Sequence, residues 1–363
     1  MTLKGRLSVK GWMLGLMLPL LLVASARAAQ VQGLYNAELL VAEQSVQVAP
    51  GLVSEALERV LVRVSGRRDV LNTPALQAGM QNPSRLIKQF SYQSTNIPRV
   101  TPDGRKVLAH RLRIEFAPEL VNELLAQANI RPLGPTRPGV LVWVVEEKGG
   151  VREYLGRDAD PVLEGMLGRA RARGLPIFRP LLDLQDEAAL PVSDAWGFFS
   201  RSVLSASQRY QADSVLVGRI YRISGGWESQ WQLLWRGQTH EFEGRGDSLD
   251  AQLASAVDQA ADRLFADFVG GGDMGYGEDG VMLRIDGVRD LDDYMAVTDY
   301  LRRQSPVEQL LVDSVADDAL TLRLVLNGSL DQLRGVIGLD KRFEPRPQLA
   351  GEARGELHYR WDD

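Results

Sequence analysis

The sequence predicts an α+β protein made of two or three small α/β sandwich domains with mixed or antiparallel sheets. Three observations lead there. Apolar residues recur at helical spacing in some segments and at strand spacing in others. Two stretches rich in proline or glycine, 132–139 and 270–280, interrupt that periodicity. The chain has 363 residues, more than one core usually organises, and an ordinary globular composition of 45% hydrophobic and 25% charged residues.

The first 28 residues stand apart. Lys4, Arg6 and Lys10 precede an apolar run from Trp12 to Ala24, and Ala26-Arg27-Ala28 follows as a small-x-small site. This is the anatomy of a secretion signal cleaved after Ala28. The alternative is an uncleaved anchor, but the run is shorter than the ~20 apolar residues a spanning helix needs. No later segment is long and apolar enough to span a membrane. The chain has no cysteine, which excludes disulfides, thiolate metal sites and a lipid-anchored N-terminus. The expected protein is periplasmic, exported and not a lipoprotein.

The first domain is expected over 29–131. Tyr35 to Glu43 has strand character. Leu52, Val53, Ala56, Leu57, Val60, Leu61 and Val64 lie on one face of a helix that Gly66 ends. Lys88 to Ser94 and Lys106 to Phe116 read as strands around a Thr101-Pro102-Asp103-Gly104 turn. Glu119 to Ala128 closes the domain as a helix behind Pro118. Residues 132–139, with three prolines from Pro132 to Pro138, read as a linker.

The central domain, 140–269, opens with the buried-type strand Val140 to Val145. Helices are expected at Asp160 to Arg173 and Trp196 to Tyr210, with a short strand at Ile177 and Phe178. Three strands follow, at Ser214 to Ile223, Trp227 to Trp235 and Gln238 to Glu243. A long amphipathic helix then runs from Ser248 to Phe268. After the glycine-rich linker, 281–344 shows the β-α-β-β-α-β order of a ferredoxin-like domain. Residues 345–363 read as a polar, disordered tail.

Charge is uneven. The chain carries 42 Lys and Arg against 47 Asp and Glu, a net of −5. Between Gln30 and Pro138 basic residues outnumber acidic ones, 13 to 9, so the remainder is strongly acidic. Nucleic-acid binding is not expected from such a distribution. A front domain that meets an anionic surface is compatible with it.

No catalytic constellation emerges, and neither metal nor cofactor is expected. His110, His240 and His358 are the only histidines and are far apart. Gly246-Asp247-Ser248-Leu249 resembles an esterase nucleophile block but lacks a downstream base. A helix cap at Asp247 or Ser248 is the structural reading. Arg245-Gly246-Asp247 also matches an adhesion tripeptide. Gly225-Gly226 reads as a hairpin turn. Asp273, Glu278 and Asp279 fit no calcium loop, and Asp290, Asp292 and Asp293 sit where a helix start rewards negative charge. The candidate binding surface is Trp227, Trp231 and Trp235, four residues apart on one strand face. Those indoles can stack on a ligand or wall a core.

The segment Ala56-Leu57-Glu58-Arg59-Val60-Leu61-Val62-Arg63-Val64-Ser65-Gly66, with Pro83-Ser84-Arg85 and Phe90-Ser91-Tyr92, resembles an uncharacterised family of proteobacterial secreted proteins known only as a domain of unknown function. Ala212 to Arg219, the Trp-rich strand and the closing helix resemble more distantly the α/β modules of TolB and of peptidoglycan-synthase activators. That resemblance implies contacts with envelope partners. The expected function is a non-enzymatic binding or scaffold protein. Alternatives are carbohydrate or peptidoglycan binding through the Trp strand, and a carboxylate-based hydrolase.

Overall fold

A computed structural model describes residues 30–101, 103–156, 161–269, 280–326, 328–347 and 356–362. The expected signal segment, most of 270–280 and the carboxylates Asp273, Glu278 and Asp279 lie outside the described residues. The fold is α+β, with three separate sheets, mixed or antiparallel, and no barrel.

The first layer pairs strands β1 (Asn36–Val41), β2 (Ile87–Val100) and β3 (Lys106–Phe116) in the order β1-β3-β2, all antiparallel. Helices α1 (Pro50–Ser65), α2 (Pro74–Gly79) and α3 (Pro118–Gln127) cover one face. Helix α1 forms because Val53, Ala56, Leu57, Val60, Leu61 and Val64 make one continuous apolar stripe, and all are buried. Burying each of these valine and leucine side chains stabilises by about 1.5–3 kcal/mol. Gly66 stops the helix in the left-handed region, φ 72°, and donates its N–H to the Val62 carbonyl at 3.0 Å.

The central layer contains β4 (Val140–Lys148), β5 (Val151–Tyr154), α4 (Pro161–Arg173), β6 (Ile177–Phe178), α5 (Leu184–Ala189), α6 (Val192–Trp196), α7 (Ser200–Ser207), β7 (Ser214–Ile223), β8 (Gly226–Trp235), β9 (Gln238–Gly246) and α8 (Leu249–Val269). Its sheet runs β5-β4-β7-β8-β9, with β6 also on β4. The strand β4 is parallel to β6 and β7, and the other pairs are antiparallel. Both faces are covered. Helices α4 and α8 pack on one, and α5 to α7 on the other. The helix expected over Trp196 to Tyr210 is broken at Gly197 and Phe198, because Phe198 takes φ 58°.

The third layer holds β10 (Val281–Asp286), α9 (Leu291–Arg302), β11 (Val307–Ala316), β12 (Ala319–Leu326), α10 (Leu330–Ile337), β13 (Phe343–Pro345) and β14 (Leu357–Trp361). Up to β13 this is the β-α-β-β-α-β order. The sheet order β11-β12-β10-β14-β13 corrects the ferredoxin-like expectation: β14 inserts between β10 and β13, parallel to β10. The expected disordered tail is therefore also corrected over 357–361. The reason is alternation. Leu357, Tyr359 and Trp361 all point into the core, where Trp361 meets Phe343 edge to face with ring centres 5.0 Å apart and donates to Asp293 at 2.9 Å. The three-residue β13 ends in Pro345 and offers less pairing surface.

The expected linker 132–139 is packed rather than loose. Leu133 donates to the Val64 carbonyl at 2.7 Å, and Val31 donates to the Pro135 carbonyl at 2.9 Å. Arg137 is buried and donates to the carbonyls of Gly134, Arg173, Gly174 and Arg63. Its guanidinium also lies 5.1 Å from the Phe265 ring centre. Burial pushes its pKa down to about 9, and the ring of carbonyl dipoles compensates the buried charge. Beside it, buried Arg173 bonds Asp258 at 3.0 Å, Asp262 at 2.7 Å and the Gly66 carbonyl at 2.9 Å. The carbonyl end of α1 is thus closed by guanidiniums from the proline-rich stretch and from α4, the charge sign a helix C-terminus favours. Proline-rich composition signalled the absence of regular structure there, but not the absence of packing.

Candidate functional site

A cleft of about 810 Å³ opens at this joint. One wall is the segment Gln30 to Gly33 with β1, and the other is the last turns of α4. Arg59 and Arg63 enter it from the α1 face opposite the apolar stripe, where a four-residue spacing sets them side by side. Arg113 comes from the outer face of β3, and Arg169 and Arg171 from α4. Glu38 is the one carboxylate in the lining.

The five guanidiniums are not equivalent. Arg169 is neutralised by a two-pronged pair with Asp258, at 2.9 and 2.7 Å. Arg59 bonds Glu55 at 2.7 Å and the Glu38 carbonyl at 3.0 Å. Arg63 donates to the carbonyls of Asn36 at 2.7 Å and Gly33 at 3.1 Å. Burial lowers its pKa, and the neighbouring Arg59 charge lowers it further. Arg113 and Arg171 are exposed, and neither forms an ion pair with a carboxylate among the described residues. The cleft therefore carries positive charge in excess of its partners. Its lining has no nucleophile beside a base. Chemically it is fitted to hold carboxylate or phosphate groups rather than to move protons.

The same arginines cap β1. Tyr35 accepts from Phe116 across the β1–β3 pair, so the carbonyls of Asn36, Glu38 and Leu40 point away from the sheet. Each receives a guanidinium, from Arg63, Arg59 and Arg99 respectively.

The residues singled out from the sequence fall elsewhere. Trp231 and Trp235 are buried in the central core, and Trp227 packs half-buried at its edge. The Trp231 ring lies directly on Gly218, where a Cβ would come within 2.2 Å of it. The row is a core wall and presents no open stacking face, which corrects the candidate binding surface. Its strand periodicity was legible, but which side faced α8 was not.

Ser248 caps α8, accepting the Ala251 N–H at 3.2 Å. Asp290 caps α9 by accepting from Asp293, and Asp293 accepts from Arg289. His110 meets Gln44 at 2.9 Å, and His240 lies in β9 opposite Leu233. His358, expected in a disordered tail, is in β14 with Nε2 2.7 Å from Asp286. Among the described residues no group of three or more His, Asp or Glu is placed to hold a metal. The arginine cleft was missed, because only the Arg59–Arg63 spacing was visible locally. Arg113 and Arg171 reach the site only through the packing of the two layers.

No curated protein and no solved structure matches the chain significantly. Residues 28–134, which cover the first layer and stop three residues short of Arg137, match the family model of a domain of unknown function (DUF8605).

Proposed function

We propose that this is a non-enzymatic binding and scaffold protein of the bacterial periplasm, and that its arginine cleft receives anionic side chains of an envelope partner. The observation that carries this reading is the pair Arg113 and Arg171, exposed and not ion-paired among the described residues, in a cleft whose lining holds five arginines and one carboxylate. The signal-like N-terminus and the resemblance of the central segment to TolB-type modules support the compartment and the kind of partner. Guanidinium groups suit carboxylates because their planar donor fork matches two oxygens at once.

Crosslinking in cells followed by mass spectrometry tests the proposal. The wild-type protein should recover a reproducible envelope protein, and the double variant Arg113→Glu, Arg171→Glu should lose it while folding normally. Binding to purified protein-free cell wall in a sedimentation assay, with no protein partner recovered, would transfer the function to the wall.

A further inference from the structure

Every open sheet must prevent its edges from pairing with foreign strands, and proteins do this with short strands, charges, prolines, bulges or covers. Five edges of this protein are managed that way. The outward carbonyls of β1 are capped by arginines. The edge strands β5 and β13 have four and three residues. The edge of β11 is broken by irregularities between Val307 and Gln309 and between Val312 and Ser314. The edge of β9 carries Glu241, Glu243 and Arg245.

The outer edge of β2 differs. From Gln89 to Ser94 it runs in unbroken register with β3, and the segment Gln-Phe-Ser-Tyr-Gln-Ser has no charge, proline or glycine. Irregularities flank it on both sides, before Gln89 and after Ser94. The alternation set by the Tyr35–Phe116 bond turns Gln89, Ser91 and Gln93 toward β3. The N–H and C=O groups of Phe90, Tyr92 and Ser94 therefore face outward, and among the described residues β2 pairs with β3 alone. The side chains along this stretch are exposed or half-buried, and no described strand lies against the edge. Phe90 and Tyr92 lie on one face with their rings 6.0 Å apart. On the other face, β3 supplies exposed Arg111 and Arg113.

We propose that the outer edge of β2 over Gln89–Ser94 is a docking edge for an extended partner segment that alternates apolar and acidic residues, added as a fourth strand. Main-chain bonds to Phe90, Tyr92 and Ser94 supply the pairing. The apolar residues of the segment cover Phe90 and Tyr92, and its acidic residues face the side of Arg111 and Arg113. Charge argues against a second copy in this role. Arg85, Lys88 and Arg99 lie in or beside β2, and the sequence from Pro83 to Thr101 contains no carboxylate, so two β2 edges would bring like charges together. This surface shares Arg113 with the cleft, but its main-chain pairing along Phe90, Tyr92 and Ser94 does not depend on it.

Amide hydrogen exchange on the full chain tests it, with a synthetic hexapeptide alternating glutamate and valine as the probe. At a tenfold excess over its dissociation constant the peptide should slow exchange at Phe90, Tyr92 and Ser94 about tenfold. A lysine–valine peptide should slow it much less. Phe90→Lys and Ser94→Pro should each abolish the effect. Neither change removes a bond to β3, and Phe90→Lys keeps the test alive if the proline variant does not fold. No slowing with the acidic peptide overturns the proposal. Equal slowing by both peptides overturns its acidic specificity. Slow exchange at these amides without peptide, in a chain that sediments as a dimer, would give the edge to a second copy instead.

Discussion

The Arg137 guanidinium donates to the main-chain carbonyl of Arg63 at 2.8 Å, one cation closing the helix that carries another. Arg137 belongs to the proline-rich stretch after the first layer, and its other acceptors are in that stretch and at the end of α4. It acts as a keystone between two layers. Arg137→Ala should cost at least about 3 kcal/mol in urea unfolding, because several buried carbonyls each lose a charge-assisted bond. Arg137→Lys should restore little of this, since one ammonium cannot span the same acceptors.

The family match ends before Arg137, which makes a sharp prediction about the isolated unit. A fragment of residues 29–134 lacks both Arg137 and Arg173, so the carbonyls of Arg63 and Gly66 lose their guanidinium partners. Hydrogen exchange in the last turn of α1 should be markedly faster in the fragment than in the full chain. Equal protection in both would show that the joint contributes nothing to the helix.

The core reading of the indoles is tested by size. Trp231→Ala should cost about 3–5 kcal/mol, as buried aromatic deletions do. Gly218→Ala should cost about 1–3 kcal/mol from the opposite direction, since its Cβ must displace the same ring. Chemical denaturation of both variants checks this, and a neutral Gly218→Ala would mean that the ring moves freely.

Asp286 links β10 to β14 through His358 and to Arg284 at 3.0 Å. Partial burial raises its pKa, but the bonds from His358 and Arg284 outweigh that and leave it below the ordinary value. A carboxylate lowered in the folded state adds stability that is fully present above its unfolded pKa, near 3.9, and is lost as pH falls through the lower folded value. Acid titration of the wild type should therefore show a destabilising limb below about pH 4 that is reduced in Asp286→Asn.

Cleavage of the precursor is the simplest prediction to check. On the proposed export, N-terminal sequencing of the protein made in cells should begin at Ala29, after the Ala26-Arg27-Ala28 site. An intact N-terminus would instead make the Trp12 to Ala24 run an anchor.

Local patterns were legible where one element's own residues decide its fate. The α1 stripe, its Gly66 stop and the strands β7 and β8 were visible as periodicity because burial on one face imposes it. The β14 strand was hidden because Leu357, Tyr359 and Trp361 sit among polar residues, and their value depends on distant β10. The break at Phe198 was hidden for another reason: a bulky residue in the left-handed region is decided by packing, not by propensity. The cleft needed two layers to meet, so no single segment could announce it.

The place of β14 has a consequence for the order of assembly. A ribosome releases β10, β11, β12 and β13 before it releases β14, yet β14 must lie between β10 and β13. Until it arrives, β13 has no neighbour and β10 keeps one side unpaired. Closing that gap joins residues more than seventy positions apart, for example Leu283 and Leu357, a slow kind of contact. The third layer is thus completed late and from its far end, and a chain still being made carries an unfinished sheet that a chaperone could hold open.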